Sequence, residues 1–468
     1  MITLAIILFP LLVSLGLFFL KDAKSARNAA LGSSVITLVI TCFAWYYYLQ
    51  GQLDNLVFNI PWIESLGVRF AGAIDGLSLV LVLLTALLFP LILLTSFKTN
   101  YKASFYALVL LMQSALFGVF TATDGLVFYI FWEMALIPIY FICALWGGEN
   151  RIRITLKFFI YTLVGSLLML VALIYMYVQT PAPHSFSLAS LSAVHLCACK
   201  QVWIFWALFI AFAIKIPVFP FHTWQPDTYT TAPNAGSMLL AGIMLKMGIY
   251  GILRWLIPLT PDVLAVHGTI AMILGVIGLL YGSIIAIMQK EIKRLIAYSS
   301  MAHVGLMAAA TFALNMDATR GVVVQMVSHG ILVVGLFFVA DIISRRTGTL
   351  QISSLGGIAK VAPRFAVFFM VVMLGAVALP LTSGFVGEFL MLVGLYQFNV
   401  WIASVAGISI ILGAVYMFWL YQRTMYGNTN EITAKFEDIK GVEMVVAVIL
   451  IVLILTLGIY PKIITSLV

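Results

Sequence analysis

Long apolar runs dominate the chain. Fourteen of them approach or exceed about 20 residues, near 2–20, 31–49, 76–97, 103–121, 125–146, 154–178, 201–219, 232–256, 264–288, 292–312, 319–343, 365–395, 401–422 and 441–460. A helix rises 1.5 Å per residue, so about 20 residues cross a hydrocarbon core roughly 30 Å thick. No water satisfies the backbone there, so only helices or a closed barrel can span it, and runs of this length predict helices. The predicted fold class is an all-α integral membrane protein of about fourteen transmembrane helices. Composition agrees, with 63% hydrophobic and only 9% charged residues; a soluble domain carries roughly 25% charged residues.

The basic residues orient these spans. Of the 25 Lys and Arg, 18 lie in connections that follow odd-numbered spans, for example Arg151, Arg153 and Lys157, or Lys290, Lys293 and Arg294. Five lie at the termini or after even-numbered spans (Arg69, Lys200, Arg254, Arg320 and Lys462), and Lys215 and Lys246 fall inside spans. Cytoplasmic connections hold the excess of Lys and Arg. An even number of spans with both termini on the external side follows, because one merged or split helix would scramble the division. The net charge of +8 is therefore membrane topology rather than a nucleic-acid-binding face. Lys21, Lys24 and Arg27 follow the first apolar run instead of preceding it, so that run reads as a retained helix and not a signal peptide.

The connections are short, and the longest, 51–75 and 179–200, are too small for a catalytic domain. No glycine-rich nucleotide loop or P-loop occurs. The four cysteines (Cys42, Cys143, Cys197 and Cys199) include no CxxC pair and cannot hold a cluster. His195 with Cys197 and Cys199 lacks a fourth metal ligand. The sequence thus predicts no redox centre, metal or cofactor in this chain.

Four ionisable residues stand near mid-span: Glu133, Lys215, Lys246 and Glu388. Each costs roughly 2.5–3.5 kcal/mol to insert, which makes each a functional candidate in need of a partner. Two structural salt bridges would also use two acids and two bases. Buried ion pairs, however, stabilise poorly compared with apolar packing, and the backbone around these residues favours an ion path. Pro138 follows Glu133 by five residues and removes the amide that would bond the Met134 carbonyl, which predicts a kink or break in the helix beside the acid. Pro217 and Pro220 leave the carbonyls of Ala213 and Ile216 without helical partners, one on each side of Lys215. The run Phe221-His222-Thr223-Trp224-Gln225-Pro226-Asp227 is too polar for continuous helix. In span twelve, Pro380 and Gly384 interrupt the helix just before Glu388. Irregular backbone at membrane depth survives where it is buried in protein or lines a hydrated cavity, and two interrupted helices in corresponding halves point to an ion path between inverted repeats. His303 and His329, mid-span in adjacent helices, and His222 inside the first break are candidate relay groups; the alternative is interhelical hydrogen bonding.

Trp132-Glu133-Met134, Lys215 with Phe219-Pro220-Phe221-His222-Thr223-Trp224-Gln225-Pro226-Asp227, Ala302-His303-Val304-Gly305, Val327-Ser328-His329-Gly330 and Phe385-Val386-Gly387-Glu388-Phe389 occur in this order. On these residues the chain resembles the antiporter-like proton-pumping subunits of respiratory complex I, NADH-quinone oxidoreductase, over nearly its whole length. Within that family the acid at Glu388, where L-, N- and antiporter-type relatives usually have lysine, and the absence of a long lateral helix beyond Tyr460 favour the M (chain 4) type. The resemblance implies two inverted five-helix repeats, 103–256 and 264–422, with broken helices seven and twelve and a C-terminal helix in 441–468. It implies Glu133 and Lys215 as a modulated ion pair, Lys246 and the histidines as a hydrophilic axis, and Glu388 as the terminal proton site. NADH, FMN, iron–sulfur clusters and quinone would belong to partner subunits. Its partners would be other membrane and peripheral subunits, neighbouring antiporter-like subunits and lipid, in a bacterial inner membrane. Asp227-Thr228-Tyr229 departs from the Asp-Ala-His of many relatives. A cation/proton antiporter or membrane-bound hydrogenase subunit would share most of these motifs.

Overall fold

The computed structural model describes residues 1–467, and its regular structure is almost entirely helical. Eleven helices among the described residues are long and apolar enough to cross a membrane. Ile2–Leu17, Pro363–Ala376 and Ser383–Phe398 are apolar but shorter, and the more polar Ile292–Thr311 carries Lys293 and Arg294 at its start. Each apolar run of the sequence coincides with helix, and the run at 365–395 is divided between Pro363–Ala376 and Ser383–Phe398.

Short polar side chains begin these helices. Asp124 accepts from the amides of Leu126 and Val127 at 3.0 and 3.2 Å, and Asn399 accepts from Trp401 and Ile402. Each cap satisfies amides that have no partner inside the helix. Gly348, at φ 70°, ends Met316–Thr347 in the left-handed region just after Arg345 and Arg346, a stop that glycine adopts without strain and a place where cations suit the helix dipole. Hydroxyls within helices bond back to the preceding turn, as Thr85 Oγ1 does to the Leu81 carbonyl at 2.7 Å, which removes unpaired polar groups from the apolar interior.

The chain divides into two compact units. The first comprises residues 1–216, 243–270 and 467. It contains the helices from Ile2–Leu17 to Ala198–Lys215 and an antiparallel hairpin of strands Val57–Ile63 and Val68–Ala73. The hairpin lies within the 51–75 connection, where the residues predict no strand; Gly67, at φ 60°, permits its turn. The second unit comprises 217–242 and 271–466. Its centre is Met316–Thr347, whose apolar stretch is wholly buried. Small residues let Ser383–Phe398 approach that helix closely: a Cβ on Gly394 would lie 2.7 Å from the Ala318 Cα, and one on Gly321 would lie 2.6 Å from the Met391 amide. Only 28% of the apolar stretch of Val442–Ile459 is buried.

Candidate proton-transfer site

In the first unit, Asp124 starts the Gly125–Trp146 helix that carries Glu133; contrary to the break expected at Pro138, the helix continues through it, because a buried proline forfeits one backbone bond without ending a helix whose other bonds persist in an apolar setting. The Ala198–Lys215 helix ends at Lys215 itself; residues 216–224 form turns containing Pro217 and Pro220, and helix resumes at Gln225–Thr231. Lys215 is 2% exposed. Neither its Nζ nor Glu133 Oε1 has a hydrogen-bonding partner among the described residues. The ammonium instead lies 5.3 Å from the ring centroid of Trp132, the residue beside Glu133. A cation–π contact of this kind is worth about 0.5–2 kcal/mol. It holds the lysine near the acid without locking the two together.

Lys246 is fully buried and begins the short helix Lys246–Gly251. π-Helical turns at Leu240–Met244 and Ile252–Leu256 flank it. Such turns widen the helix and recur at functional sites; the glycine-rich sequence suggested close packing but not this change of period. Gly248 and Gly251 lie against Phe212 and Ile216, close enough that a Cβ on Gly248 would fall 2.8 Å from the Phe212 carbonyl oxygen. The Lys246–Gly251 helix is thereby packed, through its glycine face, against the helix that ends at Lys215.

In the second unit, three of the predicted residues converge. His303 on Ile292–Thr311 places Nδ1 2.8 Å from Glu388 Oε1. His303 and His329 have ring centroids 5.9 Å apart, and His329 Nε2 is 3.1 Å from Ser300 Oγ. Gln325 Nε2 donates to Glu388 Oε1 at 3.5 Å. Glu388 reaches this position because the preceding helix breaks: Pro363–Ala376 stops, residues 377–382 including Pro380 turn, and Ser383–Phe398 starts again. Ala378 and Leu381 adopt φ of 56° and 73°, left-handed conformations that cost non-glycine residues about 1–3 kcal/mol each and cluster at functional sites. Gly384 lets the restarted helix lie against the Gly375 carbonyl, and Ser328 Oγ donates to Ser383 Oγ at 2.9 Å. His222 lies in the first break, 5% exposed, stacked on Phe219 and edge-on to Tyr281 with centroids 5.7 and 4.9 Å away.

Two groups were missed. Ser299 Oγ donates to Tyr416 Oη at 3.2 Å beside the His303–Glu388 contact; a tyrosine in an apolar run gives no signal of its own. A second network joins Arg345 to Asp341 at 2.8 Å and to Glu443 at 3.0 Å, with Arg346 reaching Glu443 at 2.6 Å. Asn234 donates to the other Asp341 oxygen. The i, i+4 spacing of Asp341 and Arg345 was a readable sign of their pairing. Among the described residues, no group of three or more His, Cys, Asp or Glu is placed to hold a metal ion.

Residues 122–413 match the family model described as NADH:quinone oxidoreductase/Mrp antiporter, transmembrane. A relative from Rickettsia typhi, NADH-quinone oxidoreductase subunit M, is 40% identical over 95% of this chain and 92% of its own. The subunit M of Rhodobacter capsulatus is 36% identical over 95% of this chain and 89% of its own. A chain of respiratory complex I from Thermus thermophilus superposes with a TM-score of 0.92 at 32% identity, covering 100% of this chain and 98% of that one. The chain belongs to the NADH:quinone oxidoreductase/Mrp antiporter transmembrane family, among its NADH-quinone oxidoreductase M-type members.

Proposed function

We propose that this chain is a non-redox, proton-translocating subunit of an NADH:quinone oxidoreductase. It crosses a bacterial inner membrane many times, with both termini outside, and sits among other membrane and peripheral subunits, including neighbouring antiporter-like ones. Those subunits carry NADH, FMN, iron–sulfur clusters and quinone, and this chain receives redox energy as a shift in the electrostatics around its buried charges. The fourteen crossings and the repeats at 103–256 and 264–422 belong to the same reading.

The observation that carries it is the 2.8 Å contact of His303 with Glu388 inside an apolar unit, immediately after a broken helix. A carboxylate and an imidazole at this separation share or exchange a proton, which a purely structural apolar contact does not require. Glu133 and Lys215 act as the modulated pair: moving the carboxylate toward or away from Lys215 changes how tightly the amine holds a proton. Lys246 and the histidines at 222, 303 and 329 pass protons onward, and Glu388 releases them. Moving one charge against roughly 150 mV requires about 3.5 kcal/mol. Making or breaking one buried ion pair is of that size.

The test is Lys215→Met in the assembled complex. Loss of proton translocation with the complex intact supports the reading, and translocation at the wild-type rate contradicts it. A cation/proton antiporter subunit is the other reading in the same family, and it predicts sodium-dependent transport by the same preparation.

A further inference from the structure

Two small cavities flank the His303–Glu388 contact, each with about 10 Å³ of room for water centres. That is about the space one water molecule needs. The first is lined by Ser299, Ser300, Gln325 and His329, and the second by Ser283, Ser409 and Tyr416; His303 and Glu388 border both. Two connections therefore join the cavities. One is the His303–Glu388 contact at 2.8 Å, and the other is the 3.2 Å hydrogen bond from Ser299 Oγ to Tyr416 Oη. Ser299 and Tyr416 are 1% and 2% exposed, so neither hydroxyl has bulk water as its partner. Each hydroxyl keeps further donor or acceptor capacity beyond this bond, and Tyr416 lines the second of the two cavities that Glu388 borders.

We infer that the Ser299–Tyr416 hydroxyl pair is a second proton link between these cavities, parallel to His303–Glu388, through which Glu388 exchanges protons with the Tyr416 side. The transfer balances. Tyr416 gives its proton into the second cavity and takes the Ser299 proton, while Ser299 takes one from the first cavity, so neither hydroxyl is left charged. Each hydroxyl supplies one donor and two acceptor positions, which is what a two-way relay needs. Hydrogen-bonded chains in a low-dielectric interior strengthen one another.

This inference rests on the proposed proton path through Glu388, and its test separates the two. Tyr416→Phe, Ser299→Ala, Ser299→Thr and Glu388→Gln are compared as assembled complexes in liposomes, with translocation normalised to complex content. Tyr416→Phe keeps the ring and removes only the hydroxyl. It and Ser299→Ala should each lower translocation about twofold, because each removes one hydroxyl donor of the link while the parallel His303–Glu388 contact still carries protons. The double variant should be no worse than either alone, and Ser299→Thr, which keeps a hydroxyl, should stay near wild type. Wild-type translocation in Tyr416→Phe, additive losses in the double variant, or a Ser299→Thr as impaired as Ser299→Ala would overturn the link while Glu388→Gln still lowers pumping. Wild-type pumping in Glu388→Gln would instead remove the underlying path.

Discussion

His303 Nδ1 and Glu388 Oε1 approach to 2.8 Å, from two helices that come together because a third stretch of chain is broken. The turns at 377–382 let the helix restart with Glu388 one turn inside it, and Gly387 brings that turn against Gln325. A cluster of acid, imidazole and amide is thus fixed by backbone irregularity rather than by side-chain reach.

Removing the imidazole should leave Glu388 with Gln325 alone. His303→Ala also removes the partner of Glu388, where both routes end, and is expected to lower coupled proton translocation by about tenfold, below the roughly 10²–10⁴-fold effect of a lone catalytic proton-transfer group. The check is translocation in reconstituted liposomes, with exposed His195 changed to Ala as the control that pumps normally.

Close packing at Gly394 is tested by adding one methyl. Its Cβ would lie 2.6 Å from the Ala318 amide nitrogen, so Gly394→Ala should destabilise by about 1–3 kcal/mol through overpacking. Gly407, with nothing within 4 Å of a Cβ, is the matched site where alanine should be tolerated. Thermal unfolding of the purified complex distinguishes them.

Arg345 lies between two buried carboxylates, Asp341 and Glu443. Arg345→Ala leaves both under-compensated and should cost about 3 kcal/mol. Reduced assembly in membranes, partly restored when Glu443 is also changed to Gln, is the expected outcome.

At the start of Gly76–Thr95, burial raises the Asp75 carboxyl's affinity for protons, but the Arg254 guanidinium and the Ser78 amide outweigh it and hold the pKa below the usual carboxylate value. A depressed folded-state pKa adds stability that is full above the unfolded value near ~3.9 and is lost as pH falls through the folded one. Asp75→Asn should therefore lower the melting temperature at pH 7, and the gap to wild type should narrow below about pH 4. A gap independent of pH would exclude the ionic contribution.

Much of this was legible in the residues. Apolar length located the helices, and prolines 217, 220 and 380 located the breaks, because proline's missing amide acts locally. Glu133, Lys215, Lys246 and Glu388 stood out because charge in an apolar run is costly anywhere. The meeting of His303 with Glu388, 85 positions apart in the sequence, depends on tertiary packing and could only be expected. The π-helical turns around Lys246 leave no compositional trace, since the same residues suit an α-helix. Tyr416 was hidden for a related reason: until Ser299 is seen beside it, it is one aromatic among many. The 57–73 hairpin was missed because its strands are short and its turn rests on the single glycine at 67.

The central claim is that protons cross this chain through Glu388. The most direct measurement is the number of protons moved per NADH oxidised by intact complexes carrying Glu388→Ala, reconstituted in sealed liposomes and compared with wild type. The account predicts a lower ratio, or coupled turnover that stalls with translocation, while the complex remains assembled. An unchanged ratio at wild-type turnover would contradict it.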